Sequence, residues 1–414
     1  MLSQRPPKII ASVVLSATLT AALLPTAAVT AAPNNVSQAN LASIQQVQTS
    51  VSRAEFLKGV VDALKLPLKN DPGSTFGDTR NHWIETRGYI DAAIKAGLIA
   101  KGKQFHPNQP ISRQAAAAIL TRAIRTQHKL PAANHVPPYL DGESVAKTFY
   151  SDVNWATWLG LLSGTNSRLQ PSKSLTQTEM KTMLTKLQNI LKQKQLPSPA
   201  ILPLSEVKPG MTGVIQTVIQ GQQIESIPVR VIDIIPGQGT GGSDVILVRG
   251  TGDVLNRAHG FASGMSGSPL YFNGKIAGAL ALAFPDEKIG GVTPIESMLK
   301  GLPAAPAGSQ TNLEKPITIQ GQTFTRMQIS EKPEDRTPQP GTLSGYHLPV
   351  PLMVSGFHGN TLSRLQNTLQ EKGITVLNAG SSGGNKENVK SLGRSLLPGD
   401  SMGVALATGD LDAY

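Results

Sequence analysis

The stretch GMSGSPLYFNGKIAGALAL (264–282) decides how the second half of this chain is read. Its later part, LYFNGKIAGALAL (270–282), is two apolar runs joined by Asn273-Gly274, a dipeptide suited to the left-handed positions of a type I′ turn, and it predicts a β-hairpin. Its first part surrounds Ser266 with small residues. A backbone of that kind can turn sharply, present one hydroxyl and aim neighbouring N–H groups at a developing negative charge.

Outward from this stretch the apolar period is two. DVILVRG (244–250) predicts a strand, and TGVIQTVIQGQQIESIPVRVIDII (212–235) two or three strands with a turn at Gln220-Gly221. VTPIESMLKGL (292–302) predicts a short helix with Thr293 as N-cap, Pro294 at N1 and Glu296 at N3. GQGTGGS (237–243), AAPAGSQTNLEKP (304–316) and SSGGNKEN (381–388) are loops, residues 317–331 suggest further strands, and HGNTLSRLQNTLQEKG (358–373) is an amphipathic helix. SMGVALATGDLDAY (401–414) starts a strand whose sheet is expected to lack its continuation.

Before residue 192 the period is 3.6 and the chain repeats itself. SRAEFLKGVVDALKL (52–66) is an amphipathic helix with Ser52 as N-cap and Glu55 at the capping-box position. SRQAAAAILTRAI (112–124) and TQTEMKTMLTKLQNIL (176–191) start in the same way. A matching half precedes each later copy, at 76–111 and 150–175. Both halves run Asp, Trp, a short helix, Gly-Leu, a loop and Phe/Leu-x-Pro, which pairs Asp78 with Asp152 and Trp83 with Trp155. KQKQLPSPAILPLS (192–205) is a polar, Pro-rich hinge.

Composition limits the alternatives. Hydrophobic residues make up 39% and aromatics 4%, with 40 Gly and 30 Pro, so the cores are aliphatic and the chain is turn-rich. Net charge is +11 and the isoelectric point near 9.7, which suits a wall polymer, a membrane surface or nucleic acid. Nucleic acid is the least favoured, since no Arg/Lys run interleaves with aromatics. Residues 1–31 have the form of a secretory signal: Arg5 and Lys8, an apolar run at 9–24, Pro25 and small residues up to Ala31. There is no Cys, so an exported form depends on packing and not on disulfides. No cluster of metal ligands and no phosphate loop stands out, so no metal and no cofactor is expected.

The repeated F-x-D, HW, A-x-x-x-G-L-I, F-x-P and SR-[AQ] elements resemble surface-layer homology (SLH) repeats. That resemblance implies three helical repeats packed as a prism, binding a secondary cell-wall polysaccharide at the surface of a Gram-positive bacterium. It would place Arg53, Asp78, Trp83 and Arg113 at the polymer, and it leaves the third groove in doubt because Gln177 replaces Arg. The alternative for these residues is that they only cap and pack helices.

The second half resembles SpoIVB-type serine peptidases. Besides GMSGSP, the resemblance rests on LSEVKPGMTGV (204–214), IPVRVID (227–233), GGVTPIESML (290–299), VPLMVSGF (350–357) and LLPGDSMGVALATGDLD (396–412). It implies Ser266 as nucleophile, the N–H groups of Gly264 and Ser266 as an oxyanion hole, and a peptide substrate laid along Ala277–Ala283. The family's His-bearing segment would fall beyond Tyr414, so the domain is expected to be incomplete. His259 is a weak candidate base. The family's acid position falls on Thr251, and Asp253, close to it, is a weak candidate acid.

The expected architecture is multi-domain. A signal at 1–31 and a lead-in at 32–49 precede an α-helical SLH region (50–191), a linker (192–203) and a β-rich domain of the chymotrypsin-like barrel type (204–414). Two functional readings stay open: a secreted, wall-anchored serine endopeptidase, inactive as this chain, or a non-enzymatic peptide-binding or scaffold protein on the wall. A purely structural surface-layer role is a weaker third. Oligomeric state is not legible.

Overall fold

The computed structural model describes residues 50–69, 76–219, 223–239, 242–284, 288–300, 310–330, 335–336, 338–348, 352–355, 359–370, 376–378 and 412–413. The expected signal, the lead-in, the turn at Gln220-Gly221 and His358 lie outside them.

Three capped helices organise the first half: α1 (Arg53–Ala63), α4 (Arg113–Arg125) and α6 (Gln177–Leu191), with α2 (Trp83–Thr86), α3 (Tyr89–Lys95) and α5 (Tyr150–Trp158) between them. Ser52 and Thr176 each close a full capping box, with Glu55 and Glu179 at N3. Ser112 accepts from the Ala115 N–H but has no carboxylate to complete the box.

The residue before each cap ties the copies together. Val51 N–H donates to Leu175 O, Leu175 N–H to Ile111 O and Ile111 N–H to Val51 O, each at 2.9 Å. This closed ring of three bonds puts the three helix starts around one pseudo-threefold axis. Val51, Ile111 and Leu175 are completely buried on it, a burial worth about 1.5–3 kcal/mol for each side chain.

The second half closes a barrel. Strands β1 (Thr212–Val218), β2 (Ile224–Ile235), β3 (Val245–Gly250), β4 (Pro269–Phe272), β5 (Lys275–Phe284) and β6 (Ile289–Pro294) pair antiparallel in the order β1-β2-β3-β6-β5-β4. The β1–β4 pair, Val214↔Tyr271 and Ile215↔Leu270, completes the circle. Alternation along the strands sends Ile215, Ile227, Val248, Leu270, Phe272, Leu280 and Val292 into one core. Short helices α7 (Asp253–Arg257) and α8 (Ile295–Lys300) follow β3 and β6. Thr293 and Pro294 end β6 and are not the cap and first turn of α8, because the β5 ladder holds them opposite Ala279 and Gly278.

Beyond the barrel, β9 (Thr342–His347) pairs with the end of β5, and β8 (Gln322–Ser330) and β7 (Gln310–Ile319) extend the sheet to nine strands. A second core of Leu247, Leu282, Phe284, Phe324 and Met327 fills that side. Strands β10 (Leu352–Ser355), β11 (Val376–Asn378) and β12 (Asp412–Ala413) form a separate three-stranded sheet, with α9 (Gly359–Gln370) between β10 and β11.

The predicted hinge is structured at its end. Leu202 N–H donates to Ile276 O, and Ile276 N–H to Ala200 O, so residues 200–202 run beside β5. The Asn273-Gly274 turn, at φ 52° and 82°, docks on the third helical repeat. Asn273 Oδ1 accepts from Ser167 N–H at 2.7 Å, and Ser167 Oγ donates to Thr212 O at 2.6 Å. A β-carbon at position 274 would lie 2.4 Å from Thr157 Cγ2 and 2.5 Å from Tyr139 Oη. Only glycine meets both the left-handed backbone and that contact. Gln216 on β1 adds a bond from Nε2 to Val136 O at 2.7 Å.

Candidate functional site

The segment between β3 and β4 lies against the barrel core, with Leu255, Phe261 and Met265 buried in it. Met265 anchors the turn, and Ser266 beside it is half-buried. Gly267 N–H donates to Leu280 O at 2.8 Å, Ser268 N–H to Met265 O at 3.1 Å and Leu280 N–H to Ser268 O at 2.9 Å. Gly264 and Gly267 take φ of 90° and 83°, a region costly for other residues. Among the described residues, the N–H groups of Gly264 and Ser266 donate to no backbone carbonyl. Two free donors therefore flank Met265, and the Ser266 hydroxyl has no protein partner among the described residues.

Ser268 Oγ donates to Thr217 Oγ1 at 2.8 Å, with both side chains buried. This bond pins the turn to β1. Its sequence separation of 51 residues gave no local signal.

The weak candidates stay apart from the serine. Asp253 is exposed at the start of α7. His259 is exposed at φ 55°, and no hydrogen bond joins it to Ser266 or to Asp253. A substrate strand along Ala277–Ala283 is not available. Both edges of β5 are taken, by β4, β6, β9 and residues 200–202, because β5 is a central strand of the closed barrel.

In the helical region Asp78 accepts from Phe105 N–H at 2.8 Å and His106 N–H at 2.7 Å. Burial alone would raise its carboxyl pKa, but these two bonds, together with its own backbone N–H and the nearby His106, outweigh it and hold the group below the usual carboxylate range. Its structural counterpart is Asp141, which accepts from Leu169 and Gln170 N–H at 2.7 and 2.8 Å. Asp152, paired with Asp78 by sequence, is instead buried against Arg122 and Arg125. Trp83 packs against the helical core and edge-on to Tyr89.

Arg53 and Arg113 begin alike. Arg53 Nε donates to Phe105 O at 2.7 Å and Arg113 Nε to Leu169 O at 2.8 Å. Arg113 is then fully engaged, by Glu179 on Nη1 and Ser163 O on Nη2. Arg53 stacks over the Phe105 ring at 5.0 Å. Among the described residues no carboxylate lies within ion-pair distance of it. Burial lowers its pKa, and the more distant Asp78 charge opposes that. Beside Arg53 opens a cleft of ≈ 210 Å³ whose walls include Phe76, Phe105, Ala115, Arg122 and Phe149. Residues 50–191 hold 18 Lys and Arg against 10 Asp and Glu, whereas 204–414 hold 16 against 17.

A family profile described as SpoIVB peptidase S55 matches residues 169–299, and one described as S-layer homology domain matches residues 75–117. The S-layer protein sap of Bacillus anthracis is 27% identical over 147 residues, 33% of this chain and 16% of that protein. An S-layer protein of Bacillus thuringiensis subsp. finitimus is 27% identical over 148 residues, again 33% of this chain and 16% of the relative. The matched part is thus about a sixth of each relative's length. The chain carries an S-layer homology domain followed by a SpoIVB peptidase S55 domain, in that order.

Proposed function

We propose that this is an exported bacterial surface protein whose helical repeats hold an anionic cell-wall polysaccharide and whose barrel presents a serine-peptidase-type turn. The S-layer homology domain and the S-layer relatives support the surface location. The observation that carries the anchoring role is the cleft beside Arg53, a guanidinium with no carboxylate partner among the described residues, walled by apolar and aromatic side chains and by Arg122, whose charge is shared with Asp152 at 3.4 Å, in the half of the chain that holds the positive charge. An Arg fork pairs well with carboxylate, and aromatic walls suit sugar rings. The test is co-sedimentation of the full chain with purified bacterial cell walls. Arg53→Ala should release the protein and Ser266→Ala should not. Release by neither, or by both, sinks the assignment.

In the barrel, a peptidase reading assigns Ser266 as the nucleophile and the N–H groups of Gly264 and Ser266 as the oxyanion donors. A serine without a bonded base keeps little of its nucleophilic activation. No base is hydrogen-bonded to Ser266 among the described residues, and this favours weak or absent peptide hydrolysis. The turn then serves as a peptide-binding scaffold, with the free N–H pair receiving a carbonyl. Hydrolysis of labelled casein that disappears in Ser266→Ala would restore the endopeptidase reading.

A further inference from the structure

The pseudo-threefold axis makes each groove of the helical region comparable with the other two, residue by residue. Counted from the caps Ser52, Ser112 and Thr176, the first helical position holds Arg53, Arg113 and Gln177, and the third holds Glu55, Ala115 and Glu179. The tenth residue after the cap is Asp62, Arg122 or Lys186. Each groove joins the first position of one repeat to the third and tenth of the next.

Two grooves share a skeleton. In one, Arg53 Nε donates to Phe105 O, and Arg122 Nη1 donates to Leu98 O at 3.2 Å. In the other, Arg113 Nε donates to Leu169 O, and Lys186 Nζ donates to Gly160 O at 2.5 Å. Arg122 also pairs with Asp152 at 3.4 Å, and the grooves differ most at the third helical position. Glu179 reaches across to Arg113 while its other oxygen caps α6. At the equivalent place stands Ala115, which lines the open cleft beside Arg53. The third groove has Gln177 in place of Arg, with Glu55 and Asp62 at the facing positions; Glu55 is held in its own capping box and Asp62 is paired with Lys58, so the first helical position offers no guanidinium to a carboxylate there.

We infer that the helical region takes one carboxylate-bearing ligand per chain, in the Arg53–Ala115–Arg122 groove, and that Glu179 acts as an internal stopper that fills the second groove with a carboxylate of its own. The inference rests on the anchoring role proposed above. The Arg113–Glu179 pair supplies the ligand chemistry: the groove already forms, within the molecule, the guanidinium–carboxylate bond that its neighbour leaves open. Ala115 is then a specificity-determining residue, because a single carboxylate at that position would close the groove.

The test is calorimetric titration of the full chain with trigalacturonate, beside the wall co-sedimentation assay. The wild type should bind with a stoichiometry of one. Ala115→Glu should lower affinity about ten- to hundredfold, as expected for a lost charge-assisted contact. Glu179→Ala should raise the stoichiometry to two. A wild-type stoichiometry of two, or Glu179→Ala binding one while Arg53→Ala binds none, overturns the stopper and leaves anchoring intact. Wall binding with no trigalacturonate binding overturns the carboxylate assignment. Absence of wall binding sinks the anchoring role itself. Should Glu179→Ala fail to fold, Ala115→Glu carries the test, since it completes a capping box and its melting temperature reports its integrity.

Discussion

The helical region and the barrel reach a defined structure by opposite routes. The helical region sets one local pattern three times, so cap, buried residue and Arg recur around an axis and each copy is a control for the others. The barrel uses each strand once, and its closing pair joins residues more than fifty positions apart. In a repeated structure, a candidate site shows as a departure from the repeat, as at Ala115. In an unrepeated one it shows as groups left unpaired among the described residues, as at Gly264 and Ser266.

The two regions also meet at the Asn273-Gly274 turn, and breaking that contact should have the largest effect. Gly274→Ala places a β-carbon against Tyr139 and Thr157 and forces a non-glycine residue into a left-handed conformation. We expect a loss of about 2–4 kcal/mol, measured by urea unfolding of the full chain. If barrel and helical region are coupled through this turn, both should shift together. A tryptophan signal that stays at its wild-type midpoint while barrel signals move would show that the helical region unfolds on its own, since Trp83, Trp155 and Trp158 all lie in it.

Next in size is the pin on the turn that carries Ser266. Ser268→Ala leaves the buried Thr217 hydroxyl without its partner, at a cost of about 1–3 kcal/mol. Thr217→Val with Ser268→Ala removes both polar groups and should recover part of that loss. Equal destabilisation by the single and double variants would argue against the pair as the cause.

The legible parts of the fold were local. Caps at Ser52 and Thr176 follow from residues three apart, and the hairpin turn follows from one dipeptide. Ser266 stood out because glycine at 264 and 267 leaves a turn few alternatives. What stayed hidden depends on distance. Asp152 matched the sequence spacing of Asp78, yet Asp141 makes the bonds, because the loop before the third repeat carries the turn further upstream. The strand proposed for substrate pairing could not be known as central until residues 200–202 and β9 were seen along its edges. Glu179 lies three residues after Thr176, but its bond to Arg113 spans 66 residues and needs the pseudo-symmetry to be anticipated.

A smaller effect follows from Asp78. Its carboxyl is held below its ordinary value of 3.8, so its stabilising contribution is complete above that value and is lost as pH falls through the lower folded value. Asp78→Asn should therefore flatten the acid limb of the stability–pH curve below about pH 4, where the wild type still falls. Parallel acid limbs in the two proteins would remove Asp78 from the account.

The smallest effect is the most informative about the comparison between repeats. Ser112 already accepts from the Ala115 N–H, so Ala115→Glu adds the missing half of a capping box and puts an anion in the first turn of α4. It also brings a carboxylate within reach of Arg53, as Glu179 is within reach of Arg113. The variant should be more stable by about 0.5–1.5 kcal/mol. If the cleft is an accident of packing, that gain comes with unchanged wall binding. If the cleft is the binding groove, the same substitution stabilises the fold and releases the protein from the wall. Opposite signs for stability and binding at one position would mean that the second repeat gave up its cap for the site.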